Sequence, residues 1–182
     1  QVDVQLKFKL VPEVIYLTVN LVDRYLAKKQ VRRSKLQLVG VAALLLAAKY
    51  EEIYPPEIRD LVYITDRAYD KKEILGMESD IAITLDYELT VPTCYSFLCR
   101  FLRAAHADKT MMQLSCYVAE RSLQEYSMVK FLPSEIAASA VYLARKSNRQ
   151  RSPWSPTLLR YTGYDEADLL PCVEAMRVYL ED

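Results

Sequence analysis

The residue types that usually carry chemistry are present, but nothing groups them into a working set. His106 is the only histidine, and it falls in a polar turn with no partner in sequence. The four cysteines, Cys94, Cys99, Cys116 and Cys172, all lie in the second half and form no CxxC pair. A closed zinc site wants four Cys or His ligands at characteristic spacing, so no metal site is expected. Three of these thiols sit among helical apolar residues and read as buried and free, which suits a reducing compartment. Only three glycines occur, Gly40, Gly76 and Gly163, so neither a dinucleotide fingerprint nor a P-loop can be written. There is no GxSxG, HExxH or ExxH. Carboxylates are plentiful, yet any surface helix offers plausible-looking pairs. The expectation is a protein with no catalytic residues and no cofactor, not an enzyme.

Charge narrows the field further. The 24 basic and 24 acidic residues cancel, with 13 basic against 14 acidic up to position 91. Neither half has the basic excess of a nucleic-acid binder. Arg145, Lys146, Arg149 and Arg151 cluster locally and read as a solvated helix end. No secretory signal or membrane span is visible, which predicts a protein of the nucleus and cytoplasm.

What remains is a presented surface and the elements that must hold it. From Leu38 to Ala48 there is no polar side chain, and the run then breaks into Lys49, Tyr50, Glu51 and Glu52. A helix apolar all round must be enclosed. Eleven residues at about 1.5 Å each cannot cross a hydrocarbon core roughly 30 Å thick. Other helices must therefore wrap it, with Ala42, Ala43, Ala47 and Ala48 allowing close approach. Pro55-Pro56 forbids continuation, because proline lacks the amide donor and restricts the residue before it. The charged cluster is thus delivered to a rim of the fold.

The rest reads as helix almost throughout. Pro12 suits a first turn, and Val14, Leu17, Leu21, Val22 and Tyr25 keep helical spacing to about Lys28. The central helix spans about Arg33 to Tyr50. A short helix after Pro56 turns Ile58, Leu61 and Val62 inward. Asp70 with Glu73 forms a capping box opening a helix to about Leu85.

The second half repeats the first. Leu17, Asp23-Arg24 and Leu26 recur 97 residues later as Leu114, Glu120-Arg121 and Leu123. Val39, Ala43, Leu46-Ala47 and Lys49 recur, at the same offset of 97, as Ile136, Ala140, Leu143-Ala144 and Lys146. Tyr69-Asp70 and Glu73 return 95 residues later as Tyr164-Asp165 and Asp168. Such a period far exceeds that of solenoids. The expected fold is all-α: two tandem repeats, 1–91 and 92–182, each a bundle of about five helices around an Ala-rich rod (36–50, then 133–147). Gln1 to Leu10 reads as the tail of a helix that starts upstream, so the first repeat is expected to be short by one element.

With that architecture in hand, the segments YLTVNLVDRYL (16–26), KLQLVGVAALLLAAKYEEIYPPEI (35–58), YITDRAY (63–69), MESDI (77–81) and LTVPT (89–93) resemble those of a cyclin. The resemblance is greatest to mitotic B-type cyclins, and KYEEIYPPEI is its most specific part. It implies tandem cyclin boxes and a regulatory, non-catalytic subunit that activates a cyclin-dependent kinase at mitosis. In such a pair the first box docks on the kinase helix that carries the active-site glutamate.

The resemblance assigns kinase-binding roles to Lys49 and Glu78, with Tyr50, Glu51, Glu52, Ala82 and Tyr87 at neighbouring positions. It also implies a docking patch for substrates or inhibitors with an Arg-x-Leu motif, here Asp3, Arg33, Gln37 and Ile64. Asp23 is the position that pairs, in the family, with an arginine upstream of Gln1. Were Asp23 buried and unpaired, the charge would cost several kcal/mol. Two readings compete: a cyclin-fold protein that binds nucleic acid or transcription factors, against which the balanced charge speaks, and a helical scaffold without a kinase partner.

Overall fold

The computed structural model describes residues 8–181. Asp3 and most of the expected N-terminal helix tail lie outside them. The chain divides into two compact units, Gln1–Val91 and Pro92–Asp182. Nine α-helices and no strands occur among the described residues.

In the first unit the helices are α1 (Pro12–Lys28), α2 (Leu36–Glu51), α3 (Ile58–Ile64) and α4 (Lys71–Thr84), with a 3-10 turn at Arg33–Lys35 before α2. Pro12 occupies the first turn of α1, where its missing amide hydrogen is no loss. Helix α2 is the rod. Leu38, Val39, Val41, Ala42, Ala43, Leu44, Leu45, Ala47 and Ala48 are all buried, and no polar stripe runs along the helix. Helices α1 and α4 pack against it, and α3 packs on α4 through Leu61, which is fully buried. Ile58 and Val62 flank that contact half-buried.

The second unit repeats the order with one helix more. It contains α5 (Cys94–Ala104), α6 (Lys109–Ser122), a 3-10 turn at Tyr126–Lys130, α7 (Pro133–Ser147), α8 (Pro156–Thr162) and α9 (Glu166–Leu180). Its rod is α7, buried at Ala137, Ala138, Ser139, Ala140, Val141, Tyr142 and Ala144 and enclosed by α5, α6 and α9.

The internal repeat extends to hydrogen-bonding detail. Asp70 caps α4 and Asp165 caps α9, and each makes the full reciprocal box with the residue three positions on, Glu73 and Asp168. In front of each cap a tyrosine reaches back to the start of the rod. Tyr69 donates its hydroxyl to the Ser34 carbonyl at 2.6 Å, and the Tyr164 and Ser134 hydroxyls are 2.8 Å apart. The ties differ in partner and agree in purpose: the cap of the last long helix of each unit is fixed to the entry of its rod.

Asp23 does not meet the condition attached to it above. Its side chain is exposed, so the cost of a buried unpaired charge does not arise; partial desolvation still raises its carboxyl pKa.

Candidate functional site

The site is built where α2 ends. Its last residues, Lys49, Tyr50 and Glu51, are all exposed, directly after the fully buried Ala47 and Ala48. Glu52 is the C-cap; its amide donates to the Ala48 carbonyl at 2.8 Å, and its backbone turns extended. Proline 55 disfavours helical geometry in Tyr54, so the rod cannot resume. Ile53 and Tyr54, between the cap and Pro55, are 87% and 88% exposed.

The acidic residues at this end have different tasks. The Glu52 carboxylate accepts from the Val11 amide at 2.6 Å and so ties the entry of α1 to the end of α2. Glu51 makes no such tie. Desolvation raises its pKa, and Glu13 on α1 and Glu52 raise it further by like charge. The Tyr50 hydroxyl hydrogen-bonds that of Thr90.

Lys49 and Glu78 stand 29 positions apart and meet. The ammonium lies 2.8 Å from one carboxylate oxygen of Glu78 and 2.9 Å from the other. The Glu78 side chain is only 12% exposed, whereas that of Lys49 is 46% exposed. Glu78 therefore does not project as a free surface charge. It is a largely enclosed carboxylate that aims and partly neutralises the lysine above it. Packing of α4 on α2 produces this convergence.

The second repeat supplies an internal control. At the offset of 97, Lys49 corresponds to Lys146, whose ammonium lies 5.6 Å from the Tyr142 ring centroid. At the offset of 95, Glu78 corresponds to Val173, fully buried. The second unit thus closes at this point with an apolar residue where the first has an ion pair. The neighbouring Arg145 donates to the carbonyls of Ser152 and Pro153, and burial lowers its pKa. One member of the sequence's basic cluster is therefore a loop anchor, not a solvated helix end.

The remaining expected positions vary. Tyr87 is 69% exposed and stands in a left-handed turn after α4, its amide donating to the Ala82 carbonyl. Ala82 itself is 7% exposed and offers little surface of its own. Of the docking-patch residues, Arg33 and Gln37 are exposed at the start of the rod, Ile64 is half-buried at the end of α3, and Asp3 lies outside the described residues. Sequence reasoning overlooked Ile53 and Tyr54. Their signal was available: two large apolar side chains between a charged helix end and Pro-Pro have no place in any helical period.

Among the described residues no cluster of three His, Cys, Asp or Glu could hold a metal, and no helix is long and apolar enough to cross a membrane. All four cysteines are free. Desolvation pushes the Cys94 thiol up to about 12 and the Cys172 thiol up to about 11, so neither is a thiolate nucleophile near neutral pH.

The two units have counterparts among known proteins. Residues 2–90 match the family model for the N-terminal domain of cyclins, and residues 92–182 match that for the C-terminal domain. Cyclin-B1-1 of Arabidopsis thaliana is 51% identical over 176 residues, covering 96% of the chain and 41% of that protein. G2/mitotic-specific cyclin-1 of Medicago sativa subsp. varia is 47% identical over 175 residues, 96% of the chain and 41% of the relative. Cyclin-A1-1 of Arabidopsis thaliana is 47% identical over 182 residues, 97% of the chain and 40% of the relative. The chain spans about two fifths of the length of these relatives. Among solved structures, a viral cyclin from herpesvirus saimiri superimposes with a TM-score of 0.85 at 20% identity, covering 98% of the chain and 80% of that structure.

Proposed function

Because the chain belongs to the cyclin family, we propose that it is the regulatory, non-catalytic subunit of a cyclin-dependent protein kinase acting in mitosis. The observation that carries this reading is the Lys49–Glu78 pair at the open end of the buried rod. A kinase needs its active-site Lys–Glu ion pair assembled by a mobile helix. A rigid partner that binds only the assembled state shifts the population by its differential affinity. Carrying a 1:99 mixture to 99:1 takes about 5.5 kcal/mol, and no chemistry by the regulatory subunit is needed. The rod end suits this task. Lys49 offers a donor whose direction is set from beneath, and Tyr50, Glu51, Ile53, Tyr54 and Tyr87 add exposed polar and apolar surface around it.

The same reading assigns Arg33, Gln37 and Ile64, with Asp3, to recruitment of substrates or inhibitors bearing an Arg-x-Leu motif. It also places the protein in nucleus and cytoplasm, where imaging of the tagged full-length protein tests it.

The main test mixes the purified chain with a monomeric cyclin-dependent kinase and measures histone phosphorylation. Stimulation is expected, and the charge-swapped Lys49→Glu/Glu78→Lys variant should bind and stimulate at background level with its helical content unchanged. Wild-type stimulation by that variant removes the pair from the interface. No stimulation by the wild-type chain with any such kinase favours the alternative, a cyclin-fold transcription or scaffold protein.

A further inference from the structure

The second unit carries a groove that the kinase reading does not use. It lies between α5 and α8, has a volume of about 420 Å³, and is lined by Ser96, Cys99, Arg100, Arg103, Ala104, His106, Thr157 and Tyr161. Two arginines, one histidine and three hydroxyls face it, and no carboxylate does. Arg100 and Arg103 are three positions apart at the end of α5 and share one face, and His106 lines the groove from the turn that follows. Neither guanidinium is in an ion pair among the described residues, although the chain as a whole has as many acids as bases. The Arg100 guanidinium sits 6.0 Å from the centroid of the Tyr161 ring, which props one fork from the opposite wall.

We propose that this groove binds a phosphoserine or phosphothreonine side chain of a partner peptide. Ser96 already donates its hydroxyl to the Thr93 carbonyl at 2.8 Å. The two guanidinium forks with the Thr157 and Tyr161 hydroxyls still exceed what a single carboxylate can accept. They match the three terminal oxygens and the charge of nearly two on a phosphate monoester. A lone phosphate would fill a small part of about 420 Å³, and the remainder accommodates the flanking peptide backbone. Continuous nucleic acid fits less well, because the unit as a whole has no basic excess.

The test is an NMR titration of the isotope-labelled 182-residue chain. The probes are a capped Gly-phosphoserine-Gly peptide, its unphosphorylated form, inorganic phosphate and a short oligothymidylate. Saturable shifts are expected at Arg100, Arg103, His106 and Thr157 with the phosphopeptide, weaker ones with inorganic phosphate, and none with the unphosphorylated peptide. Arg100→Ala and Arg103→Ala should each weaken phosphopeptide binding about tenfold or more. Arg151→Ala, in the exposed loop before α8, should leave it unchanged. Arg100→Gln and Arg103→Gln serve the same purpose should an alanine variant lose its folded spectrum. The proposal falls if the unphosphorylated peptide shifts the same residues equally or if the arginine variants bind as the wild type. It falls equally if inorganic phosphate or the oligothymidylate binds as tightly as the phosphopeptide.

Discussion

At the scale of single residues the charges at the rod end act on stability in opposite senses. Lys49 is aimed by a carboxylate that is itself nearly enclosed. Lys49→Glu places a second carboxylate against the first and should cost about 2 kcal/mol of unfolding free energy. The charge-swapped double variant should recover most of it, a coupling that a double-mutant cycle in urea reads directly. A double variant no more stable than Lys49→Glu would mean that the two side chains do not interact in solution. Glu51 behaves in the opposite sense. Its pKa is raised in the folded chain, so its contribution to stability is fully present below the unfolded value and lost as pH rises through the folded one. Glu51→Gln should therefore match the wild type in thermal midpoint near pH ~3.5 and exceed it at neutral pH. A variant that is less stable at neutral pH would refute the account of desolvation and like charge. None of this coupling is legible in sequence. Twenty-nine positions separate Lys49 from Glu78, and only the packing of α4 on α2 converts that separation into contact.

At the scale of elements the local rules were legible because each is written within a few residues. Pro12, the Asp70–Glu73 and Asp165–Asp168 boxes and the Pro55-Pro56 stop act over one helical turn, and all appear where the chain spells them. What the local rules omit is how elements are tied to one another. The bond from the Val11 amide to Glu52, and those from Tyr69 and Tyr164 to the entries of the rods, bridge 30 to 41 positions. The caps themselves make a measurable claim. Asp70→Ala and Asp165→Ala should each lower stability by about 1 kcal/mol. Because they lie in different units, the two losses should add within a few tenths of a kcal/mol in the double variant. A null effect at Asp70, followed by thermal unfolding, would show that the Tyr69 tie alone holds the start of α4.

At the scale of the whole molecule, one frame is used twice and finished differently each time. Both rods are Ala-rich and buried, and both are followed by a short helix and a capped long one. In the second unit the rod runs out into Arg145, whose guanidinium closes the following loop, and Val173 fills the place of Glu78. In the first unit the same place holds a buried acid under an exposed lysine, beside 87% and 88% exposed apolar residues. The surface was legible in a duplicated sequence because the two copies part at this point. The asymmetry sets an expectation for hydrogen exchange. On the proposed function, a monomeric cyclin-dependent kinase at about 100 times its dissociation constant should stabilise the chain by roughly 2.7 kcal/mol. Opening of the segments it covers should slow accordingly. The added protection should concentrate at residues 47–54 and along α4, while residues 144–151 at the matching end of α7 exchange as in the free chain. Equal protection at both rod ends, or protection confined to the second, would mean that the partner does not recognise the Lys49–Glu78 end.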